Sequence, residues 1–199
     1  MTPEREQRLN FVLNHRQPDL VVVLENVFDP HNISAVMRTC DAVGIQELFV
    51  LNTTIPPHQK WGKRSSSSAA KWLTIHQYQQ LDDVIAALRQ RNMKIYTTGL
   101  GKESRNLYHL DLTAPTALVF GNEKSGCSEE MMLASDGNFL IPQVGIIKSL
   151  NISVACAVSV YEAYRQKMTA GHYDSRKLDG DILNRLEQEW GLTENEPND

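Results

Sequence analysis

No uninterrupted apolar run in the chain exceeds five residues; "LVVVL" at 20–24 reaches that length, and it belongs to a series. "ELFVL", "KIYTTGL", "TALVFG" and "NFLIP" follow it as further short apolar runs, and "WLTIH" at 72–76 reads as another strand. Between them stand helix-sized stretches. "DPHNISAVMRTCDAVG" opens with Asp29, suited to an N-cap, and Pro30, suited to the first helical position. Its Ile33, Val36, Met37 and Cys40 recur at i, i+3, i+4 and i+7, and Gly44 stands where the helix can stop. "LDDVIAALRQR" predicts a second helix, and Ser128 with Glu129 and Glu130 starts a short third. Apolar strands alternating with helices predict an α/β fold whose sheet is parallel and covered on both faces. Ligands of such sheets bind at the carboxyl ends of the strands, so loops 26–32, 98–105, 121–127 and 142–151 are the ones to examine.

The ends are helical too. Residues 4–16 carry a short apolar stripe, Leu9, Val12 and Leu13. "KSLNISVACAVSVYEAY" reads as a buried helix over about 150–168, and "DGDILNRLEQEW" as a final helix before an acidic tail, "TENEPND". At 199 residues and 41% hydrophobic the chain can build one sizeable core. The polar N-terminus has no apolar stretch of a signal peptide, and no run approaches the ~18–20 residues of a membrane span. Cys40, Cys127 and Cys156 are dispersed, which predicts reduced thiols and a cytoplasmic protein. The net charge of −4 does not advertise nucleic-acid binding, yet a local basic face can hold phosphate on an acidic protein. "HQKWGKRSSSSAAKW" at 58–72 has four Lys/Arg and no carboxylate.

Several chemistries are excluded by what the loops lack. The first strand–helix loop, "ENVFDPHN", has no glycine, so the dinucleotide-binding fingerprint is absent. "GNEKSGCS" places Gly121, Gly126 and Ser128 as a phosphate loop would, but Cys127 stands at the lysine position, which removes nucleotide hydrolysis. The six histidines show no metal spacing, and there is no hydrolase elbow. Asn32 and Arg38 are six residues apart on one helix and so lie on different faces; by themselves they read as a polar residue near a cap and a solvated arginine. Ser149 and Asn151 begin the long helix. They suit capping of its free N–H groups, and equally a polar or anionic ligand at the helix start; composition does not choose.

"NVFDPHNISAVMRTCDAVG", "LVFGNEKSGCS" and "FLIPQVGIIKSLNISVACAVSVYEA" together, in this order and spacing, resemble the three signature motifs of the SPOUT methyltransferases, more narrowly the TrmH (SpoU) branch. "RQPDL" at 16–20 and "RQKMTAGHYD" at 165–174 are similar to the flanking extensions of tRNA-modifying members, so the resemblance spans about residues 5–180. It implies a SPOUT domain over 19–168 with a deep trefoil knot over about 95–165, an N-terminal helical extension (1–18) that contacts tRNA, and a C-terminal extension with the tail (169–199). It implies a homodimer that uses S-adenosylmethionine, with no metal and no membrane. The reaction it implies is 2′-O-methylation of a guanosine ribose in tRNA, at position 18 in the D-loop. The alternatives are the same chemistry on rRNA or another RNA, or a non-catalytic RNA-binding protein.

Carried over residue by residue, the resemblance places Arg38 next to the reacting 2′-hydroxyl. Asn32, Glu123, Ser149 and Asn151 are the matching polar residues of the three motifs. It assigns the cofactor to Thr98, Leu100, Gly121, Asn122, Ile141 and Leu150, through backbone groups and apolar side chains. The tRNA contacts it suggests are Arg8, Arg16, Lys63, Arg64, Arg165, Lys167 and Arg176.

Overall fold

A computed structural model describes residues 1–58, 69–101 and 103–192. Lys63, Arg64, the serines at 65–68 and the acidic tail lie outside the described residues. In chain order the elements are α1 (Pro3–Asn14), β1 (Leu20–Glu25), α2 (Pro30–Ala42), β2 (Glu47–Leu51), β3 (Thr74–Tyr78), α3 (Leu81–Gln90), β4 (Lys94–Thr98), β5 (Arg105–Asn106), β6 (Thr116–Phe120), α4 (Glu129–Ala134), β7 (Gly137–Leu140), α5 (Ile152–Thr169) and α6 (Gly180–Glu189). Seven strands form one sheet in the order β3-β2-β1-β6-β4-β7-β5, and every pairing is parallel. β1 is buried along its whole length, as a strand covered on both faces must be.

Alternation along the strands sorts the core into two layers. Leu20, Val22 and Leu24 pack with Ile33, Val36, Met37 and Cys40 of α2 and with Cys156, Val160 and Ala163 of α5. Val21, Val23, Phe49 and Leu51 face Val84 and Leu88 of α3 and Met131 of α4. The caps form where the residue types predict them: the Asp29 side chain accepts from His31 N, with Pro30 at the first helical position, and Ser128 Oγ accepts from Met131 N. Gly44 takes φ +84°, and a Cβ there would lie 2.4 Å from His15 O.

Two readings are corrected and one strand is added. The strand expected at 72–76 runs from Thr74 to Tyr78, because Trp72 turns away to pack edge-on against Trp190. β5 is two residues long, too short to leave a periodic signature. The long helix is not buried all round: Val154, Tyr161 and Met168 are 47%, 51% and 44% exposed and recur every seven residues, which places them on one face.

Two proposed phosphate contacts are corrected as well. Arg16 is fully buried; its guanidinium donates to Ile45 O (3.1 Å), Asp41 Oδ1 (2.7 Å) and Trp72 O (3.0 Å), and lies over the Trp190 ring. Burial lowers its pKa from the ordinary value, with Asp41 opposing the shift. Lys167 is also fully buried, with Nζ donating to Asp19 Oδ2 (2.7 Å) and Thr113 O (3.1 Å). Neither cation reaches a surface where a phosphate can approach. Arg16 ties the end of α1 to α2, Ile45 and Trp72, and Lys167 ties α5 to the segments that lead into β1 and β6; α1 and α6 share a small core with Leu178, made of Leu9, Leu13, Leu186 and Trp190. Arg16→Ala is therefore expected to destabilise the protein by about 3 kcal/mol, because Ile45 O and Trp72 O both lose their donor. Denaturant unfolding monitored by tryptophan fluorescence measures this.

Candidate active site

β1, β6, β4 and β7 are neighbours in the sheet, so the loops after them emerge side by side at one end. These are residues 26–29, 121–128, 99–101 and 141–151; the second carries Asn122 and Glu123, the last carries Ser149 and Asn151, and Asn32 stands in the first turn of α2, which follows the first.

The loop after β6 is closed by its own backbone. Asn122 N donates to Gly126 O (3.0 Å) and Gly126 N to Asn122 O (2.9 Å). The strand end and the loop's return cross so closely that a Cβ on Gly121 would meet Gly126 C at 2.1 Å and Cys127 N at 2.2 Å. The Asn122 side chain holds both sides of the turn: Oδ1 accepts from Lys124 N (2.9 Å) and Ser125 N (3.3 Å), and Nδ2 donates to Asn26 O (2.8 Å). The far end is fixed by Glu25, a buried carboxylate that accepts from Ser128 N (3.0 Å) and Ser128 Oγ (2.5 Å).

This closure projects Glu123 toward the start of α2. Its carboxylate accepts from Phe28 N (3.1 Å), Asp29 N (3.3 Å) and Asn32 Nδ2 (2.9 Å). Asn32 Oδ1 in turn accepts from Asn151 Nδ2 (3.2 Å), while Asn151 Oδ1 caps α5 by accepting from Ser153 N (2.8 Å) and Ser153 Oγ (2.6 Å). Capping and site building are thus performed by the two ends of one amide. The chain Glu123–Asn32–Asn151 joins residues 91 and 119 positions apart in sequence.

Partial burial pushes the Glu123 carboxyl up, but the hydrogen bonds from Asn32 and the backbone N–H groups outweigh it and hold the pKa below the usual carboxylate value. A carboxyl depressed on folding adds stability above its unfolded pKa, ~4.3, and loses it as pH falls through the folded value. Glu123→Gln places an NH₂ group against backbone N–H donors. It is expected to lower Tm at pH 7, with the gap to wild type closing as pH drops from 5 to 3; thermal melts across that range check it.

Arg38 lies on α2 beyond Asn32, exposed and off the buried stripe, on a different flank from Asn32. Ser149 is exposed in the loop before α5. Of the residues expected around a cofactor, Gly121 is buried, Thr98 and Asn122 are half-buried and Ile141 packs partly on the core. Leu100 and Leu150 are 68% and 37% exposed. Thr98 Oγ1 stands 3.9 Å from Cys127 Sγ. Burial, aided by Glu25, pushes the Cys127 thiol up to about 12, which removes it as a nucleophile. Among the described residues no three His, Cys, Asp or Glu side chains group as a metal site. No helix is long and apolar enough to cross a membrane, among those same residues.

Arg8, Arg165 and Arg176 are exposed; Arg165 is paired with Glu162 (2.7 Å). Arg8 lines a cleft of about 420 Å³ with Phe11, His15, Tyr164 and Asp174, between α1 and the end of α5. Sequence reasoning passed over Glu25 and Asn26. The available signal was a carboxylate closing an otherwise all-apolar strand, a buried position that a charged residue occupies only when partnered.

The model of the SpoU rRNA methylase family matches residues 19–161. A tRNA (guanosine(18)-2'-O)-methyltransferase of Thermus thermophilus is 41% identical over 191 residues, covering 95% of this chain and 96% of that one. The crystal structure of the TrmH/SpoU tRNA modifying enzyme of A. aeolicus superposes with a TM-score of 0.88 at 35% identity, covering 95% of each chain. The SpoU methyltransferase AviRb from Streptomyces viridochromogenes, in complex with the cofactor AdoMet, superposes with a TM-score of 0.69 at 25% identity, covering 78% of this chain and 59% of that one.

Proposed function

The chain belongs to the SpoU methylase family, and from that premise we propose that it methylates the ribose 2′-hydroxyl of a guanosine in tRNA, at position 18. The observation that carries this reading is the hydrogen-bonded set Glu123–Asn32–Asn151, which fastens three loops into one rigid end of the sheet. The residues present fit S-adenosylmethionine. A glycine-closed loop too tight for any side chain at Gly121 follows β6, and the loops that follow the neighbouring strands β4 and β7 carry the exposed apolar Leu100 and Leu150, a set suited to a nucleoside held by backbone groups. Bound there, the cofactor supplies an electrophilic methyl group and a neutral thioether leaving group.

The chain's own residues position the reacting groups and stabilise the charge that develops. Thr98, Leu100, Gly121, Asn122, Ile141 and Leu150 hold the cofactor. Glu123, Asn32 and Asn151 fix the loops that orient the ribose, with Ser149 beside them. Arg38 binds the substrate phosphate and promotes loss of the 2′-hydroxyl proton. Its guanidinium stabilises negative charge developing on the 2′-oxygen, and the proton passes to an oxygen of the substrate phosphate bound there. The matches to tRNA enzymes over nearly the whole chain favour tRNA over rRNA.

The same reading includes a deep trefoil knot over about residues 95–165 and a homodimer in the cytoplasm. The dimer is supported by uncovered apolar side chains: Val144, Ile146 and Ile147 are 109%, 96% and 71% exposed, and the α5 stripe of Val154, Tyr161 and Met168 is also uncovered. Arg8, Lys63, Arg64, Arg165 and Arg176 remain the proposed tRNA contacts. Methyl-labelled S-adenosylmethionine incubated with bulk tRNA, and separately with rRNA, tests the proposal. Label in tRNA is expected; label in rRNA alone, or in neither, overturns it.

A further inference from the structure

Asn26 is the only described residue apart from Asn92 and the glycines with a left-handed backbone, φ +51°, and it is almost completely buried. Four of its hydrogen bonds reach two different loops. Its carbonyl accepts from Asn122 Nδ2 (2.8 Å), at the root of the Glu123 loop. Its side chain turns the other way: Oδ1 accepts from Thr53 N (2.9 Å) and Thr54 N (3.0 Å), and Nδ2 donates to Thr53 Oγ1 (2.9 Å). The segment so gripped leaves β2 and runs to His58, whose Nε2 donates to Val27 O (2.8 Å). Thr53–His58 is therefore pinned at both ends to the loop that precedes Asn32. Pro56 and Pro57 restrict its backbone, and Thr53, Thr54, Pro56 and Pro57 are exposed.

We infer that Asn26 is a positioning residue that couples the Glu123 loop to a second wall, Thr53–His58, which contacts the RNA beside the reacting ribose. The hydroxyls of Thr53 and Thr54 and the backbone carbonyls of this wall suit ribose and phosphate groups of flanking nucleotides, as contacts that place a substrate without reading its bases. The inference rests on the RNA-methylating reading above. It adds a route by which cofactor loop and substrate wall keep one spacing, which a transfer requiring in-line alignment demands.

Asn26→Gly tests it, because glycine keeps the left-handed backbone and the carbonyl to Asn122 while deleting the side-chain clamp. Hydrogen exchange of the full-length variant is expected to speed up at least tenfold at Thr53 and Thr54, with Asn122–Gly126 unchanged. KM for tRNA is expected to rise about tenfold, while the Kd for S-adenosylmethionine stays within threefold; Asn26→Asp, which keeps the Oδ1 acceptor, should recover part of the loss. Unchanged exchange at Thr53 and Thr54 overturns the clamp. Faster exchange with an unchanged KM, in a protein whose wild type methylates tRNA, overturns the substrate wall. Equal loss of cofactor and RNA affinity overturns the division of roles. A wild type that methylates no RNA refutes the functional reading itself, and the wall's role falls with it.

Discussion

Arg38→Ala is expected to lower the rate of methyl transfer by ~10²–10⁴-fold, the range typical of a group that assists proton removal. The fold is expected to survive. Arg38 is exposed and off the stripe formed by Ile33, Val36, Met37 and Cys40, so the core loses nothing. Cofactor affinity is expected to stay near wild type, because the proposed cofactor loops are closed by backbone bonds and by Glu25, Asn26 and Asn122. Arg38→Lys separates two roles. A lysine keeps the charge but not the planar fork, so activity should return only in part if the guanidinium grips a phosphate bidentately. Single-turnover rates, with cofactor binding measured by calorimetry, check both variants. Full activity in Arg38→Ala removes this residue from the mechanism.

The second large effect is expected from one methyl group. Gly121→Ala places a Cβ within 2.1–2.3 Å of Gly126 C, Cys127 N and Gly126 O, all backbone atoms that cannot rotate away. The loop must open, breaking the Asn122–Gly126 pairing and displacing Glu123 from Phe28, Asp29 and Asn32. Overpacking of this kind costs ~1–3 kcal/mol. A shift of ~1 Å in a positioned group can cost ~10²-fold in rate. The variant is expected to lose at least ~10²-fold in kcat/KM, with weakened cofactor binding. Gly126→Ala is the control. A Cβ there meets nothing within 4 Å, so only the cost of a left-handed alanine remains, and its loss should be far smaller. Equal effects from the two would show that crowding at Gly121 is not what the loop depends on.

How far the sequence spoke for itself differs between the fold and the site. The strands and the helix start at Asp29-Pro30 were legible because burial on two faces and capping leave local marks. The parallel sheet followed from their alternation with helices. The site was legible only as separate polar residues. Nothing local joins Glu123 to Asn32 or Asn32 to Asn151; their meeting comes from strand order, which places β6 beside β1 and brings α5 back across α2. The reading of Ser149 and Asn151 as either cap or ligand wall divided what one side chain does jointly. Arg16 and Lys167 misled for the opposite reason. A basic residue in a terminal extension looks like a phosphate contact, and only the packing of Trp190 and Asp19 around them reveals a buried clamp. Lysine and arginine are rarely buried, so the composition argued for the surface.

The proposed activity is tested most directly by locating the methyl group. A tRNA transcript treated with the protein and S-adenosylmethionine is digested with nuclease, and the fragments are weighed by mass spectrometry. The expected result is a single addition on the ribose of guanosine 18, absent from the Arg38→Ala reaction. A methyl group on a base, on another nucleotide, or on no nucleotide at all would contradict it.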